Sequence, residues 1–336
     1  MGNIIPVQNR IISIFIFVLA SCSPEPSSTI PVQETIFPKT ATVTKQIIIP
    51  TYTEELSSQV HPLDTPTIEI TKTIVKQTAT APQPEFTQTA DMRLKPYQWG
   101  GWPIIPTLSQ HAKDIYWQGI DNGNHPQHFS TIGDCQGMPE IFMGLYETER
   151  NPLALPKDAP LIETVDFFNG SFNRQGFAVS NGLSAPSALS PLWANPEFCE
   201  PKENPVECEL RIHKPAIAFI ILGTNWSSDS YSQKYYDYLQ QIVDILVVNG
   251  TLPILATKAD NVEGDHSINL ITAKIAFEND LPLWNFWLAA DTLTNHGLDA
   301  NQKNIYLSPA GWNRLSYTGL QVLDSIHREL ESEPNH

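Results

Sequence analysis

The stretch IAFIILGTN, at residues 217–225, decides the fold class of this chain. Its first six residues are apolar without interruption, which is typical of a strand that is covered on both faces in a parallel sheet. The strand ends at Gly223, and the polar residues Thr224 and Asn225 follow. Residues at such an exit lie at the carboxyl edge of the sheet, where open α/β proteins form their ligand sites.

Strand and helix patterns alternate on both sides of this stretch. The alternation predicts a parallel sheet with helices on both faces, so the expected fold class is α/β, a three-layer α/β/α sandwich. Asn249-Gly250 supplies a stop for one helix, and Ser308-Pro309 supplies a capping hydroxyl and a first-turn proline for the last one. The remaining predicted elements are strands over residues 128–132, 252–257 and 281–286 and helices over residues 232–248 and 267–277.

The amino-terminal segment is typical of an export signal. Arg10 precedes a largely apolar run at residues 11–20, which is too short to span a bilayer comfortably. The next residues, Leu19-Ala20-Ser21-Cys22, resemble the lipobox of bacterial lipoproteins, in which the signal is cut before a cysteine that carries lipid. We therefore expect residues 1–21 to be a signal peptide and Cys22 to anchor the exported protein to the cell membrane. The alternative is an ordinary signal peptide with an incidental cysteine.

A segment rich in Thr, Pro, Ser, Val and Gln follows the anchor. Residues 22–92 sustain no apolar period, so we interpret them as the lipidated cysteine and a disordered stalk. A small β module is the alternative. Residues 93–336, where Trp and Gly become frequent, form the predicted folded domain.

The charge of the chain excludes one class of partner. The formal net charge is −16, whereas binding to nucleic-acid phosphates needs clustered Lys and Arg. An acidic surface does not attract anionic lipid either, so the acyl chains on Cys22 would supply the affinity for the lipid bilayer.

The four cysteines divide into different roles. Cys199 and Cys208 lie nine positions apart in a polar loop of a predicted exported protein, where disulfides persist, so we expect them to pair. Two separate surface thiols are the alternative. Cys135 is then left outside the disulfide. No pair has the spacing of a structural zinc site, and no cofactor is predicted.

Four blocks in chain order resemble the SGNH (GDSL-like) hydrolases. They are Gly133-Asp134-Cys135, Gly182, Gly223-Thr224-Asn225 and Leu307-Ser308-Pro309-Ala310-Gly311-Trp312. The similarity covers about 200 residues, and its most specific parts are the G-T-N after the buried strand and the terminal L-S-P-A-G-W. The resemblance implies a flavodoxin-like parallel sheet and the active site of an esterase or deacetylase.

The departures from that family concern the catalytic triad. By resemblance, Cys135 occupies the position of the nucleophilic serine, Lys303 that of the orienting aspartate and Tyr306 that of the histidine base. A thiolate can replace a hydroxyl as nucleophile, but a phenol, with its ordinary pKa of about 10, is a poor base at neutral pH. The groups of the oxyanion hole, Gly182 and Asn225, are retained.

Other histidines are candidates for the missing base. His296 lies close to the altered block, with Asp299 nearby as an orienting group, and His266 is the second candidate. For both, the alternative is a loop histidine bonded to the backbone. His213, before the strand at residues 217–222, is interpreted as a surface residue.

Two further clusters have competing interpretations. Asp260, Glu263 and Asp265 suggest calcium, but they lack the EF-hand pattern, so a solvated or helix-capping loop is preferred. Several tryptophans near the strand exits would either stack on sugar rings or belong to the core: Trp193, Trp226, Trp284, Trp287 and Trp312.

Three functional hypotheses follow from the sequence. The preferred one is a membrane-anchored SGNH-like protein that lacks standard esterase catalysis and binds an acyl or carbohydrate ligand in the former active-site cleft. The second is an active ester hydrolase or deacetylase with Cys135 as nucleophile and a non-standard histidine base. The third is a structural envelope protein without a ligand.

Overall fold

The computed structural model describes residues 93–153, 158–226 and 232–333. The predicted signal peptide, the lipidated Cys22 and the stalk lie outside the described residues, and those predictions stay predictions. Among the residues described, no helix is both long enough and apolar enough to cross a bilayer.

A parallel sheet of four strands forms the centre of the fold. Its strands are β1 (His125–Gly133), β2 (Pro215–Ile221), β3 (Leu252–Ala256) and β4 (Leu283–Trp284), in that spatial order. All seven residues of β2 are buried. Because successive side chains of a strand point to opposite faces, both faces of the sheet are covered at β2.

One backbone bridge extends the sheet beyond β1. Gly133 pairs in parallel with Val179, through a 3.0 Å bond from the Gly133 N–H to the Ala178 carbonyl and a 3.2 Å bond from the Ser180 N–H to the Gly133 carbonyl. When this bridge is counted as a strand, the order in chain numbering is 2-1-3-4-5, which is the flavodoxin-like order. The predicted α/β/α fold class is therefore confirmed, and the topological switch point lies between β1 and β2.

Eight α-helices accompany the strands in the described part of the chain. They are α1 (Gln110–Asp121), α2 (Ala159–Phe167), α3 (Ala185–Ala188), α4 (Pro205–His213), α5 (Ser232–Val248), α6 (Ser267–Glu278), α7 (Phe286–Ala290) and α8 (Pro309–Glu331). The predicted bounds of α5 are reproduced, and α6 ends one residue later than predicted. The large buried side chains of the core include Trp284, Tyr235 and Phe219.

The structure corrects one predicted element. The strand predicted over residues 281–286 is only two residues long, because Asn285 caps a helix instead of continuing the strand. Its side-chain oxygen accepts a 3.2 Å hydrogen bond from the Leu288 N–H, and Phe286 is already helical. An amide side chain at the N-cap satisfies one of the unpaired N–H groups of a first turn.

The predicted disulfide is confirmed. Cys199 and Cys208 are joined with a Cα–Cα distance of 5.3 Å. The bond ties the loop at residues 191–204 to α4, whose N-cap is Asn204. Glu203 in the same loop forms an ion pair with Arg211 on α4 at 2.6 Å.

Candidate functional site

The exits of β1 and β2 adjoin at the switch point of the sheet. Asp134 follows β1, and its backbone N–H donates a 3.1 Å hydrogen bond to the carbonyl of Ile221 at the end of β2. Thr224 and Asn225 follow along the second exit, after Leu222 and Gly223. Open parallel sheets bind ligands at such switch points, so the first and third sequence blocks meet where a site is expected.

Cys135 begins a short 3-10 helix directly after this exit. The helix, Cys135–Gly137, is capped by Asp134, whose carboxylate accepts a 2.9 Å hydrogen bond from the Gln136 N–H. Cys135 lies outside the disulfide and is only 1% exposed. A thiol at this level of burial does not meet a substrate from solvent in this conformation, since nucleophilic attack requires contact with the reacting carbon.

The two residues of the predicted oxyanion hole lie close together. Gly182 has a φ of 80°, a left-handed conformation that favours glycine. The Asn225 side chain donates a 3.1 Å hydrogen bond from Nδ2 to the carbonyl of the adjacent Leu183. Asn225 thus reaches the chain next to Gly182, although one proton of its amide group is used within the protein.

Lys303 and Tyr306, the residues that the family resemblance puts at two triad positions, lie in the loop before α8. Lys303 is exposed, with a φ of 60°, and it follows the 3-10 helix Ala300–Gln302. Tyr306 is half-buried, and its carbonyl accepts a 2.9 Å hydrogen bond from the Asp299 N–H. The bond belongs to a short antiparallel bridge between Leu298 and Leu307, which closes the loop on itself.

His296 does not have the orienting partner that the sequence suggested. The Asp299 carboxylate accepts hydrogen bonds from the Asn301 N–H at 2.9 Å and from Gln302 Nε2 at 3.1 Å, so it caps a helix. The carboxylate near His296 is that of Asp291, with 3.9 Å between its Oδ1 and the imidazole Nδ1. Burial lowers the pKa of His296.

The two candidate bases pack around one indole ring. His296 and His266 lie with their ring centroids 4.9 Å and 5.9 Å from that of Trp287. Each imidazole has one buried nitrogen, Nε2 of His296 and Nδ1 of His266, without a hydrogen-bond partner among the described residues. Both histidines line an open cleft of about 620 Å³, together with Trp287, Lys303 and Asn304.

Cys135 does not line this cleft. A general base must lie within hydrogen-bond reach of the proton that it removes, directly or through one water molecule. A histidine of the cleft can therefore serve the Cys135 thiol only if one of its ring nitrogens comes within that reach.

Sequence reasoning missed a buried charged network at the exit of β3. Lys258 Nζ donates hydrogen bonds to Asp260 Oδ1 at 2.5 Å and to Glu263 Oε2 at 2.6 Å. Thr224 Oγ1 donates to Asp260 Oδ2 at 2.7 Å, which joins this network to the exit of β2. The side chains of Lys258, Asp260 and Glu263 are 7%, 3% and 8% exposed.

The interpretation of the acidic cluster as a solvated or helix-capping loop is wrong in its solvated part for Asp260 and Glu263. Glu263 does cap, because its Oε1 accepts a 3.3 Å hydrogen bond from the Ile268 N–H in the first turn of α6. Asp260 and Glu263 are buried partners of Lys258. Asp265 acts near a helix start as predicted, since its Oδ1 accepts a 2.9 Å hydrogen bond from the Ser267 N–H. The signal for the network was Lys258 directly after an apolar strand, where a cation needs paired anions.

Burial also changes the titration of Asp134. Burial first, and then the nearby charge of Asp260, raise the pKa of the Asp134 carboxyl group to about 7, although the Gln136 N–H and Lys258 act in the opposite direction. Titratable groups perturbed by burial concentrate at functional sites, although structural ion pairs perturb pKa values as well.

The tryptophans divide between core and surface. Trp284 is fully buried, whereas Trp193 is 48% exposed and lies beside Gly182. Trp226, Trp287 and Trp312 are half-buried.

Within the described residues, only Cys199, Glu203 and Cys208 bring three His, Cys or carboxylate groups within metal-binding distance, and both cysteines belong to the disulfide.

Solved structures with a similar chain trace are esterases and lipases. A variant of an acetyl xylan esterase from Geobacillus stearothermophilus is 17% identical, over 61% of this chain and 96% of its own, with a TM-score of 0.40. A GDSL-like lipase from Bacteroides thetaiotaomicron is 14% identical, over 64% and 98%, with a TM-score of 0.38. A lipase/acylhydrolase from Enterococcus faecalis is 13% identical, over 59% and 95%, with a TM-score of 0.38.

Likeness at these values concerns the fold and says nothing about activity. No family profile matches the sequence, and no curated protein matches it.

Proposed function

We propose that this protein is an exported, lipid-anchored SGNH-like domain that binds an acyl or carbohydrate ligand without hydrolysing it by the standard triad. The observation that carries the proposal is the state of the three triad positions. Lys303 and Tyr306 stand where the family has its orienting aspartate and its base, and Cys135 is 1% exposed. A thiol at this level of burial does not reach a substrate, and neither the Lys303 ammonium nor the Tyr306 phenol is a base of the kind the family uses.

The composition of the open cleft favours a carbohydrate over an acyl chain. Trp287 offers an aromatic ring, and rings of this kind combine an apolar face with a polar edge. Lys303, Asn304 and the two histidines supply donors and acceptors around it. Ligand sites of this type combine apolar surface with a few polar groups that determine orientation.

Thermal-shift measurements on the folded domain with neutral oligosaccharides and with short acyl esters test the binding function. A bound ligand raises the Tm by an amount set by its concentration relative to its Kd. We expect the shift to be lost in Trp287→Leu and retained in Phe198→Ala, because Phe198 is 52% exposed and does not line the cleft. If Asn225→Ala also abolishes the shift, the ligand extends to the oxyanion position.

Hydrolysis of p-nitrophenyl acetate tests the rival activity. We expect the wild-type protein to hydrolyse this ester no faster than the Cys135→Ala variant does. Ester hydrolysis that Cys135→Ala abolishes would contradict the proposal and establish a thiol enzyme. A lack of any shift with either ligand class, together with the absence of hydrolysis, would favour a structural role.

The lipid anchor needs a separate test. In cells that produce the full chain, we expect the protein in the membrane fraction, and we expect Cys22→Ala to release it, because two or more acyl chains give stable attachment. Membrane retention of Cys22→Ala would contradict anchoring through this thiol.

A further inference from the structure

The open cleft around Trp287 has a wall without carboxylates. Lys303 contributes an ammonium group to this wall, and no aspartate or glutamate of the described residues lines it. The whole chain, in contrast, carries a formal net charge of −16. The cleft therefore differs from the chain as a whole in the charge that it offers to a ligand.

Two nearby carboxylates leave the Lys303 ammonium group unpaired. Asp291 Oδ1 lies 3.9 Å from Nδ1 of His296, and the Asp299 carboxylate accepts two hydrogen bonds at the start of the 3-10 helix Ala300–Gln302. Across the described ranges, Lys303 Nζ has neither an ion pair nor a hydrogen bond to another residue. Its three N–H donors are therefore available to a ligand.

Two asparagines of the wall also offer donors. Asn261 Oδ1 accepts a 2.9 Å hydrogen bond from the His266 N–H, and Asn304 Oδ1 accepts one of 2.6 Å from Asn295 Nδ2. The Nδ2 groups of Asn261 and Asn304 donate to no residue in the part of the chain that the structure describes. The oxygens of both amides are thus engaged, whereas their N–H groups are available.

The loops that form this wall have an uncommon backbone conformation. Five of the nine non-glycine residues with positive φ in the described ranges line the cleft, namely His266, Asn295, His296, Lys303 and Asn304. Such conformations are unfavourable outside glycine and persist where the surrounding structure holds them, as at ligand-binding sites. They fix the backbone at Lys303 and Asn304, with φ values of 60° and 58°, and so limit where these two side chains can reach.

We propose that the cleft binds an acidic sugar, with the sugar ring against Trp287. The anionic group of the sugar, a carboxylate or a sulfate, accepts hydrogen bonds from Lys303 Nζ and from the Nδ2 groups of Asn261 and Asn304. An anionic oxygen only accepts hydrogen bonds, so it matches a wall whose free groups are donors, and an ammonium group strengthens such bonds. This inference rests on the proposed carbohydrate binding and names the class of carbohydrate.

Isothermal titration of the purified protein with three related sugars tests the proposal. They are a galacturonate trisaccharide, its carboxyl-reduced form, which has the same ring size without the charge, and a sulfated galactose trisaccharide. We expect the Kd of at least one acidic sugar to be about three- to fivefold lower than that of the reduced form. This preference should shrink between about 50 mM and about 500 mM NaCl, because salt screens exposed charges. The two acidic sugars distinguish a carboxylate from a sulfate.

Two variants locate the anionic group. Lys303→Gln removes the ammonium group, and Asn304→Asp replaces an N–H donor with a carboxylate while it keeps the oxygen that accepts the Asn295 bond. Each should remove the preference for the acidic sugar. Lys202→Gln is the matched control, since Lys202 is also an exposed lysine with a positive φ, of 76°, but it does not line the cleft, and it should retain the preference.

The outcomes separate this proposal from the proposed function. Equal Kd values of the wild type for the acidic and the reduced sugars would overturn the acidic-sugar proposal and leave carbohydrate binding in place. A preference that survives in both Lys303→Gln and Asn304→Asp would also overturn it. No binding of any of the three sugars, together with no thermal shift by neutral oligosaccharides, would contradict carbohydrate binding itself.

Discussion

His213 shows how burial changes a residue that the sequence presents as ordinary. It is half-buried, and its ring stacks on that of His128 with 4.3 Å between centroids and 3° between planes. Burial, followed by the nearby Arg174 guanidinium, lowers the pKa of His213 to about 4. The surface interpretation of His213 is therefore wrong, because the ring of His128 on β1 packs against it and the residue is half-buried.

This shift predicts a loss of stability in acid. In the unfolded chain, a histidine takes up a proton below a pH of about 6.5, whereas folded His213 stays neutral down to about pH 4. The unfolded state thus binds more protons between these values, and the free energy of unfolding falls as the pH falls.

We expect the Tm of His213→Phe to decrease less than that of the wild type between pH 7 and about pH 4.5, because phenylalanine keeps a ring in the stack without a titrating group. Differential scanning calorimetry across this range measures the difference. His111→Phe, at an exposed position, is the matched control and should follow the wild type. Parallel curves for wild type and His213→Phe would show that His213 does not contribute.

The position of Lys258 after an apolar strand hints at a buried cation, but the spacing of the residues does not predict its partners. Lys258 and Asp260 are two positions apart, and Glu263 is three further on, a spacing that is common in solvated loops. In the fold, this loop packs against the exits of β1 and β2. That packing buries the three side chains and brings the Thr224 hydroxyl within hydrogen-bond distance of the Asp260 carboxylate. The expectation of solvated side chains failed for Asp260 and Glu263, because charge spacing does not reveal burial.

At the level of elements, the start of α8 also holds the loop that carries His296. The Ser308 hydroxyl oxygen accepts a 3.3 Å hydrogen bond from the Gly311 N–H, as the predicted N-cap does. The same hydroxyl donates to the Gly297 carbonyl at 3.0 Å, and the Ser308 N–H donates to that carbonyl at 2.9 Å. The cap therefore joins α8 to the edge of the open cleft.

We expect Ser308→Ala to lower the free energy of unfolding by about 1–2 kcal/mol, since it removes both a cap and a loop contact. Chemical denaturation measures the change. Ser325→Ala, in the interior of α8, is the control and should change stability by less than about 0.5 kcal/mol. Equal effects of the two substitutions would mean that the cap does not stabilise the helix.

At the level of the whole molecule, α1 touches the turn between α5 and β3 without intervening side chains. A methyl group added at Gly119 would overlap the carbonyl group of Gly250. Asn124, just after α1, also donates a 3.0 Å hydrogen bond from Nδ2 to the Asn249 carbonyl. This contact joins segments that lie more than a hundred residues apart in the sequence.

We expect Gly119→Ala to lower the free energy of unfolding by about 1–3 kcal/mol, because backbone cannot yield to the methyl group as a flexible side chain would. Gly101→Ala is the matched control, since nothing lies within 4 Å of its added methyl group. Urea denaturation of both variants measures the difference. If Gly119→Ala is as stable as Gly101→Ala, then α1 and the turn between α5 and β3 can move apart with little loss in the free energy of unfolding.

The α/β class, the bounds of α5 and, to within one residue, of α6, the cap of α8 and the disulfide were all predicted from the amino-acid sequence and are confirmed. Each of these predictions depends on local patterning, on capping chemistry or on the oxidising setting that goes with the predicted export. The prediction that two triad positions are altered also comes from the sequence, because Lys303 and Tyr306 are visible without coordinates, and it stays a prediction.

Only the tertiary structure decided which polar groups meet. Packing buried Cys135, assigned Asp299 to a helix cap, grouped His266 and His296 around Trp287, and placed Lys258 between two carboxylates. The burial of a side chain and its hydrogen-bond or ion-pair partners depend on contacts between segments that are distant in the sequence. Local propensities for helix and strand do not encode these contacts.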